Sequence, residues 1–320
     1  MKAPILLAAA LLALAGTAHA ADYPTRAVTV VVPFPAGGST DYAGRMIASE
    51  LSNRLGGTFV VENRAGATGA IGAAHVKNAA PDGYTLMASS LAVYVINPHL
   101  QKKLQYDPSR DFDLITVAVQ APNVLVASPK APAATMPELL EFLKKNPGAA
   151  TFASSGNGAS DHLTAELFWQ KTGTSGLHVP YKGGAPAIVD LLGGQVNYSF
   201  QNVNAVLGHI QTGKLKAIAV TGNKRSNVLP NVPTMEQAGV KDLVVYSWQA
   251  VAAPKGIPSD IRTQLHKTIV AGLNDPTNKA NIEAQGLEVV GNTPEEFEKF
   301  QTEELQRWKT VIENGNITPS

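Results

Sequence analysis

Short apolar runs alternate along the chain with longer stretches whose apolar positions recur every three or four residues. The first pattern predicts buried strands and the second amphipathic helices. Ala27–Val32 reads as a strand, and Asp41–Leu55 as a helix with Ala43, Met46, Ile47, Leu51 and Leu55 on one face. Thr58–Glu62 is a strand, Ile71–Ala79 a helix and Tyr84–Ser89 a strand, with Pro81-Asp82-Gly83 turning between the last two. An irregular stretch punctuated by Asn97-Pro98 and Tyr106-Asp107-Pro108 follows, then strands over Phe112–Val119 and Asn123–Ser128. Met136–Lys145 is a helix closed by Asn146-Pro147-Gly148, Thr151–Ala153 a short strand and Ser160–Thr172 a helix. Ala185–Leu192 is a helix stopped by Gly193-Gly194; Val196–Phe200, Val203–Thr212 and Lys216–Thr221 continue as strand, helix, strand. A loop with Pro230 and Pro233 leads to a strand near Leu243–Ala252, and helices over Ser259–Leu273, Pro276–Gln285 and Pro294–Ile312 close the chain.

Such alternation predicts an α/β fold of mostly parallel sheets covered by helices on both faces. The length suits two lobes. The expected division is residues 21–122 plus 247–320 for lobe one and 123–246 for lobe two, the C-terminal helices folding back on lobe one. Two crossings then form a hinge, and the cleft between the lobes is the expected binding place. Trp248, just past the second crossing, either lines that cleft or plugs the hinge.

The N-terminus changes the picture of where this happens. Lys2, the apolar run Ile5–Ala15 and Ala18-His19-Ala20 have the layout of a secretory signal peptide over residues 1–20. Its removal leaves 25 Lys and Arg against 25 Asp and Glu. A neutral chain without basic runs argues against nucleic acid as a partner. With no cysteine there is neither a disulfide framework nor thiolate chemistry. No later segment is apolar enough to span a bilayer, so an exported, soluble protein is expected, and it is expected to be a monomer.

The chemistry lies in glycine turns that join strands to helix N-termini. Phe34-Pro35-Ala36-Gly37-Gly38-Ser39-Thr40-Asp41 is the clearest, and Arg64-Ala65-Gly66-Ala67-Thr68-Gly69 the second. Ser154-Ser155-Gly156-Asn157-Gly158-Ala159-Ser160-Asp161-His162 and Tyr181-Lys182-Gly183-Gly184-Ala185-Pro186 repeat the arrangement further along. Backbone N–H groups at such turns point at an anion, and glycine lets the backbone come close. Two turns from each lobe, facing across a cleft, offer enough charge-assisted donors for a carboxylate without an arginine clamp. Ser39 or Thr40 can cap the first helix, and Asp41 either favours its dipole or meets a cationic group of a ligand. Tyr181 either reaches the ligand or packs on Pro180.

Rival chemistries find little support. There is no G-x-x-x-x-G-K-[ST] phosphate loop, and Asp161 stands where a dinucleotide fingerprint after Gly156-x-Gly158 needs glycine. G-x-S-x-G is absent, which disfavours a secreted hydrolase using His162. His162 and Glu166, four apart on one helix face, could share a metal, but a capping or pocket hydrogen bond is the simpler role. No cofactor, metal or catalytic residue is expected.

The chain resembles the extracytoplasmic solute receptors of the tripartite tricarboxylate transporter family, the Bug receptors. The resemblance rests on Val31 to Asp41, Val61 to Ala67, Pro81 to Leu86, Tyr106 to Pro108, His178 to Gly183, Asp190 to Val196 and Leu229 to Thr234, in order across residues 23–308. It departs mildly at Thr68, where a second glycine is commoner. The resemblance implies two α/β lobes of type II-like periplasmic binding proteins, a carboxylate held at the first two glycine turns partly through ordered water, and delivery to a two-component membrane permease. The ligand expected is a di- or tricarboxylate, an amino acid or an aromatic acid; signalling to a membrane sensor kinase is the alternative outlet. Candidate contacts are Phe34, Ala36, Gly37, Gly38, Ser39, Thr40, Asp41, Ala67, Thr68 and Ser89 from lobe one. Lobe two offers Ser155, Gly158, Ser160, His162, Tyr181 and Asn202.

Overall fold

The computed structural model describes residues 23–315 and Ile317, and the expected leader lies outside them. In chain order, β1 (Val28–Val32) leads into α1 (Ser39–Leu55), β2 (Phe59–Asn63), α2 (Ala70–Lys77), β3 (Thr85–Ser90) and a short α3 (Asn97–Leu100). Then come β4 (Phe112–Ala127), α4 (Met136–Lys145), β5 (Thr151–Ser154), α5 (Ser160–Thr172), β6 (Leu177–Pro180) and α6 (Gly184–Gly193). The chain ends with β7 (Tyr198–Asn202), α7 (Val203–Gln211), β8 (Lys216–Val220), β9 (Tyr246–Pro254), α8 (Ser259–Leu273), α9 (Pro276–Ala284), β10 (Glu288–Val289) and α10 (Pro294–Asn314).

The β1–α1 unit shows how the sequence sets up the cleft. β1 is buried at every position except Thr29, and it pairs in parallel with β2 and β3. Ala43, Ile47, Ala48 and Leu51 bury one face of α1. At Gly44 a Cβ would stand 2.5 Å from Val32 Cγ2, so glycine is what allows this close approach of helix to strand. Gly56, left-handed at φ 69, ends the helix and returns its N–H to Ser52. The N-terminus of α1 is thereby fixed at the C-terminal edge of the sheet, the usual ligand side of a parallel sheet.

β4 is where the structure departs most from the periodicity reading. Two strands were expected over Phe112–Val119 and Asn123–Ser128; the chain instead forms one strand of 16 residues. Pro122 reads as a breaker because it lacks an N–H, yet it sits at the point where the ladder changes partner. β4 pairs with β9 up to Pro122↔Tyr246, and from Asn123↔Asn202 onward it pairs with β7. It also pairs with β8 over Val124–Ala127. The full order is β2-β1-β3-β9-β4-β7-β5-β6, with β10 and β8 both attached to β4. The parallel expectation holds at β1–β2, β1–β3, β5–β6 and β5–β7. It fails at β3–β9, β4–β9, β4–β7, β4–β8 and β4–β10, which are antiparallel. A strand leaving one lobe and a strand returning to it necessarily run in opposite directions.

Three further differences have similar physical origins. The stretch from Leu91 to Leu100 is helical, and Leu91–Ile96 is almost wholly buried. Burial on all sides erases the three-to-four spacing that marks an amphipathic helix. β6 and the two-residue β10 are edge pairings too short to signal in sequence. α10 is shared rather than confined to lobe one: Gln170 on α5 donates to the Val311 carbonyl at 3.2 Å, and Gln301 donates to the Tyr94 carbonyl at 3.2 Å. Trp248 packs inward with 1 % exposure, stacked 5.7 Å from Tyr94 and edge-on to Phe297, its indole N–H directed at Glu304. It belongs to the core beneath the crossing strands and lines no part of the cleft.

Candidate functional site

In the first glycine turn, Gly37 is left-handed at φ 86 and Asp41 reaches back from the first turn of α1 to accept its N–H at 3.0 Å. Asn63 at the end of β2 donates to both Phe34 O and Asp41 Oδ1, and Arg45 donates to Asp41 Oδ2. Burial pushes the Asp41 carboxyl up, but the bonds from Arg45, Gly37 and Asn63 outweigh it and hold the group below its ordinary value. Asp41 therefore braces the turn. The Gly37 N–H is spent on it, and neither residue lines the cleft.

Lobe two repeats the device with different side chains. Asp161, in the first turn of α5, accepts from Ser155 N at 2.7 Å and Ser155 Oγ at 2.6 Å. No Lys or Arg bonds to it, and burial raises its carboxyl to about 6 against the lowering effect of those bonds, of the His162 N–H and of the His162 ring. Gly158 N donates to His162 Nδ1 at 3.0 Å, which leaves the ring proton on Nε2, 3.5 Å from Glu166. The His162 ring stacks 3.8 Å from His178, whose Nε2 lies 2.6 Å from Ser154 Oγ. Burial first, and then the His162 charge, lower His178 to about 3.

Between these turns lies a small cavity of about 70 Å³. Four helix N-termini frame it: Gly38, Ser39 and Thr40 of α1, Ala159 and Ser160 of α5, Gly183 to Ala185 of α6, and Asn202 and Ala205 of α7. The first N–H groups of a helix find no acceptor within it, and each end carries the positive pole of the helix dipole. Ser90, Gln201 and Ser247 add hydroxyl and amide groups from the strands, while Phe34, Pro35, Ala36 and Ile188 are apolar. No residue lining this cavity is charged. The arrangement suits an anion met by main-chain donors in a dry setting.

A larger outer chamber of about 740 Å³ shares Phe34, Pro35, Ser155 and Gly183 with the inner cavity. Ala65 to Gly69, Gln101, Gly156, Asn157 and Pro180 to Lys182 complete it. Tyr181 lines this chamber, but its hydroxyl donates to Asp190 at 2.7 Å. Burial and that carboxylate raise the phenol to about 12.

Of the candidate contacts, Phe34, Ala36, Gly38, Ser39, Thr40, Ser155, Ser160 and Asn202 reach the inner cavity, and Ala67, Thr68 and Tyr181 the outer chamber. Five reach neither. Gly37 and Asp41 satisfy each other, and Ser89 is fully buried on the opposite face of β3 from Ser90. Gly158 faces lobe one, where a Cβ would meet Leu100 Cδ1 at 2.7 Å, and His162 is 4 % exposed against His178. The turn after β2 opens on the outer chamber, and α7 takes its place around the inner one. Sequence reading has α7 as a helix and Asn202 as a contact, but it does not count this N-terminus among the anion-binding turns, because Phe200-Gln201-Asn202 contains no glycine. Gly183 and Gly184 stood in a turn already marked as anion-binding. Ser90, Gln201 and Ser247 carried no signal, since their direction depends on how β3, β7 and β9 pair.

Among the described residues no cluster of three His, Asp or Glu could hold a metal ion. Ser154 and His178 are paired as in a nucleophile and its base, but Ser154 is 1 % exposed and lines neither chamber.

A family model described as the tripartite tricarboxylate transporter family receptor matches residues 43–317. The chain belongs to this receptor family. Protein BugT of Bordetella pertussis is 39 % identical over 300 residues, covering 93 % of this chain and 92 % of BugT. Among solved structures, Rpa4515 of R. palustris with adipate superimposes with a TM-score of 0.91 at 34 % identity, covering 93 % of this chain and all of that one. MatC from Rhodopseudomonas palustris with bound malate gives 0.86 at 30 % identity, covering 91 % of this chain and all of MatC. The α/β architecture is thus that of the Bug-type periplasmic binding proteins, and the family is one of solute receptors. Among the described residues no helix is long and apolar enough to cross a membrane.

Proposed function

We propose that this protein is a periplasmic receptor that captures a small organic carboxylate and hands it to a membrane permease of the tripartite tricarboxylate type. The observation that carries the reading is the convergence of four helix N-termini on one cavity with no charged lining. Each such end is worth ~0.3–1 kcal/mol to an anion at a surface and up to ~2 kcal/mol when partly buried. Capture followed by closure of the lobes needs no catalytic group. The small inner cavity meets the outer chamber through Phe34, Pro35, Ser155 and Gly183, which favours an aliphatic acid. Adipate in Rpa4515 and malate in MatC are acids of that kind. Lobe boundaries at 122/123 and 246/247 agree with the switch of β4 from β9 to β7, and a hinge there would open the cleft. An N-terminal leader of residues 1–20 would deliver the receptor to the periplasm.

The test is native mass spectrometry of freshly purified protein, followed by thermal shift across aliphatic dicarboxylates, hydroxy acids, amino acids and aromatic acids. A retained acid, or a dose-dependent rise in Tm with one class, is the expected result. Stabilisation by cations or neutral sugars, with none by any acid, would overturn the reading.

A further inference from the structure

Ala67 and Thr68 both occupy left-handed backbone, at φ 47 and 50. That region is unfavourable for any residue with a Cβ and most of all for a β-branched one. The turn is held in this shape from outside. Asn97 Nδ2 donates to the Thr68 carbonyl at 3.1 Å, and Gln101 Nε2 to the Ala67 carbonyl at 2.8 Å. Glycine would fit such a backbone without strain, so threonine calls for a reason in its side chain. The Thr68 hydroxyl crosses the cleft and donates to the Asn157 carbonyl of the second-lobe loop at 2.8 Å.

We propose that Thr68 is a closure latch, whose hydroxyl biases the receptor towards the shut form through a bond between protein groups alone. Neighbouring contacts fit the same role. Ser39 Oγ donates to Asn204 Oδ1 at 2.6 Å, also from lobe one to lobe two. Gly183 lies against Pro35, and Gly158 against Leu100 and Ile96, with no room for a side chain between them. The turn is held by Asn97 and Gln101 of the same lobe, so its strain is the same in the open and shut forms and only the Thr68–Asn157 bond distinguishes them. For a receptor whose shut form grips the ligand, apparent affinity scales with the shut fraction. Only that consequence rests on the reading of the cleft as a capture site; the latch is tested without an acid.

The chain contains no cysteine, so Lys144→Cys on α4 and Lys267→Cys on α8, both exposed, give one spin label per lobe. Pulsed EPR distances are measured on protein unfolded and refolded to strip co-purified acids. A short-distance population is expected in the parent and in Thr68→Ser. Thr68→Val and Thr68→Gly should each lower the short-to-long ratio by roughly three- to ten-fold, the worth of one hydrogen bond. Thr68→Gly also relieves the backbone, so its folding is secure while the hydroxyl is removed; Thr68→Val removes the hydroxyl but keeps the branched side chain. An unchanged ratio in Thr68→Gly, or a parent with no short-distance population, would overturn the latch.

Discussion

At the scale of single residues, the two lobes brace their turns with carboxylates in opposite electrostatic states. Asp41 has Arg45 beside it and sits below its ordinary value, whereas Asp161 has no Lys or Arg partner and burial raises it to about 6. His178, two strands' width away in sequence but packed on His162, is lowered to about 3. Their contributions to stability run in opposite directions. Between about 3 and 6.5 the unfolded chain binds a proton at His178 that the folded chain refuses, so stability falls as pH drops. Between about 4 and 6 the folded chain binds a proton at Asp161 before the unfolded one does, so that contribution is lost as pH rises. In the overlap the two offset each other. His178→Gln removes one titration while keeping an acceptor for Ser154. Its stability relative to the parent should therefore rise as pH is lowered from 6.5 to 4, by at most about 1.4 kcal/mol per unit. Urea unfolding at a series of pH values reads this directly. A difference independent of pH would mean that His178 titrates like an exposed imidazole.

At the scale of elements, the question is whether helix ends or side chains hold the ligand. Gly38 caps α1 with φ −92 and ψ 172, a conformation open to any residue, and nothing lies within 4 Å of the place its Cβ would take. Aspartate and asparagine are both good caps there, so Gly38→Asp and Gly38→Asn should match or slightly exceed the parent in Tm. Only the aspartate brings a negative charge to the cavity. Acid binding should fall more than about a hundredfold in Gly38→Asp and much less in Gly38→Asn; equal affinity in the two would place the anion elsewhere. The crossing strands have their own test. Trp248 is wedged between Tyr94 and Phe297, and Trp248→Ala should cost about 3–5 kcal/mol, seen as a lower urea midpoint. A cost below 1 kcal/mol would mean that the core under the hinge is loose. Elements also show what sequence can and cannot convey. β1, α1 and their joining turn were legible because the apolar spacing, the glycines and the helix start all agree. β4 was not, because a strand buried on both faces around Pro122 looks like two. The inner cavity was half legible: its main-chain donors follow from glycine turns, while Gln201 and Ser247 enter through long-range pairing that no local pattern encodes.

At the scale of the whole molecule, charge is nearly balanced, at a formal +1 for the full chain, and the inner cavity has no ionised side chain. A receptor that gripped its acid with arginines would attract it from a distance and lose affinity as salt rises. On the proposed reading the attraction comes from helix ends that meet the anion inside the cleft, with no ionised side chain in the lining. Association should then proceed at the ordinary rate of about 10⁵–10⁷ M⁻¹s⁻¹ for unsteered encounters, with little dependence on ionic strength. Lys182 is the one charged residue lining the outer chamber among the described residues, and a lone exposed charge contributes little once screened. Calorimetry with the acid found by thermal shift, at 20 and 500 mM NaCl, should give Kd values within about threefold of each other. Stopped-flow rates should be similarly flat, and Lys182→Gln should leave both nearly unchanged. A tenfold or greater weakening in high salt would mean that a side-chain cation, and not the four helix termini, provides the main hold on the ligand.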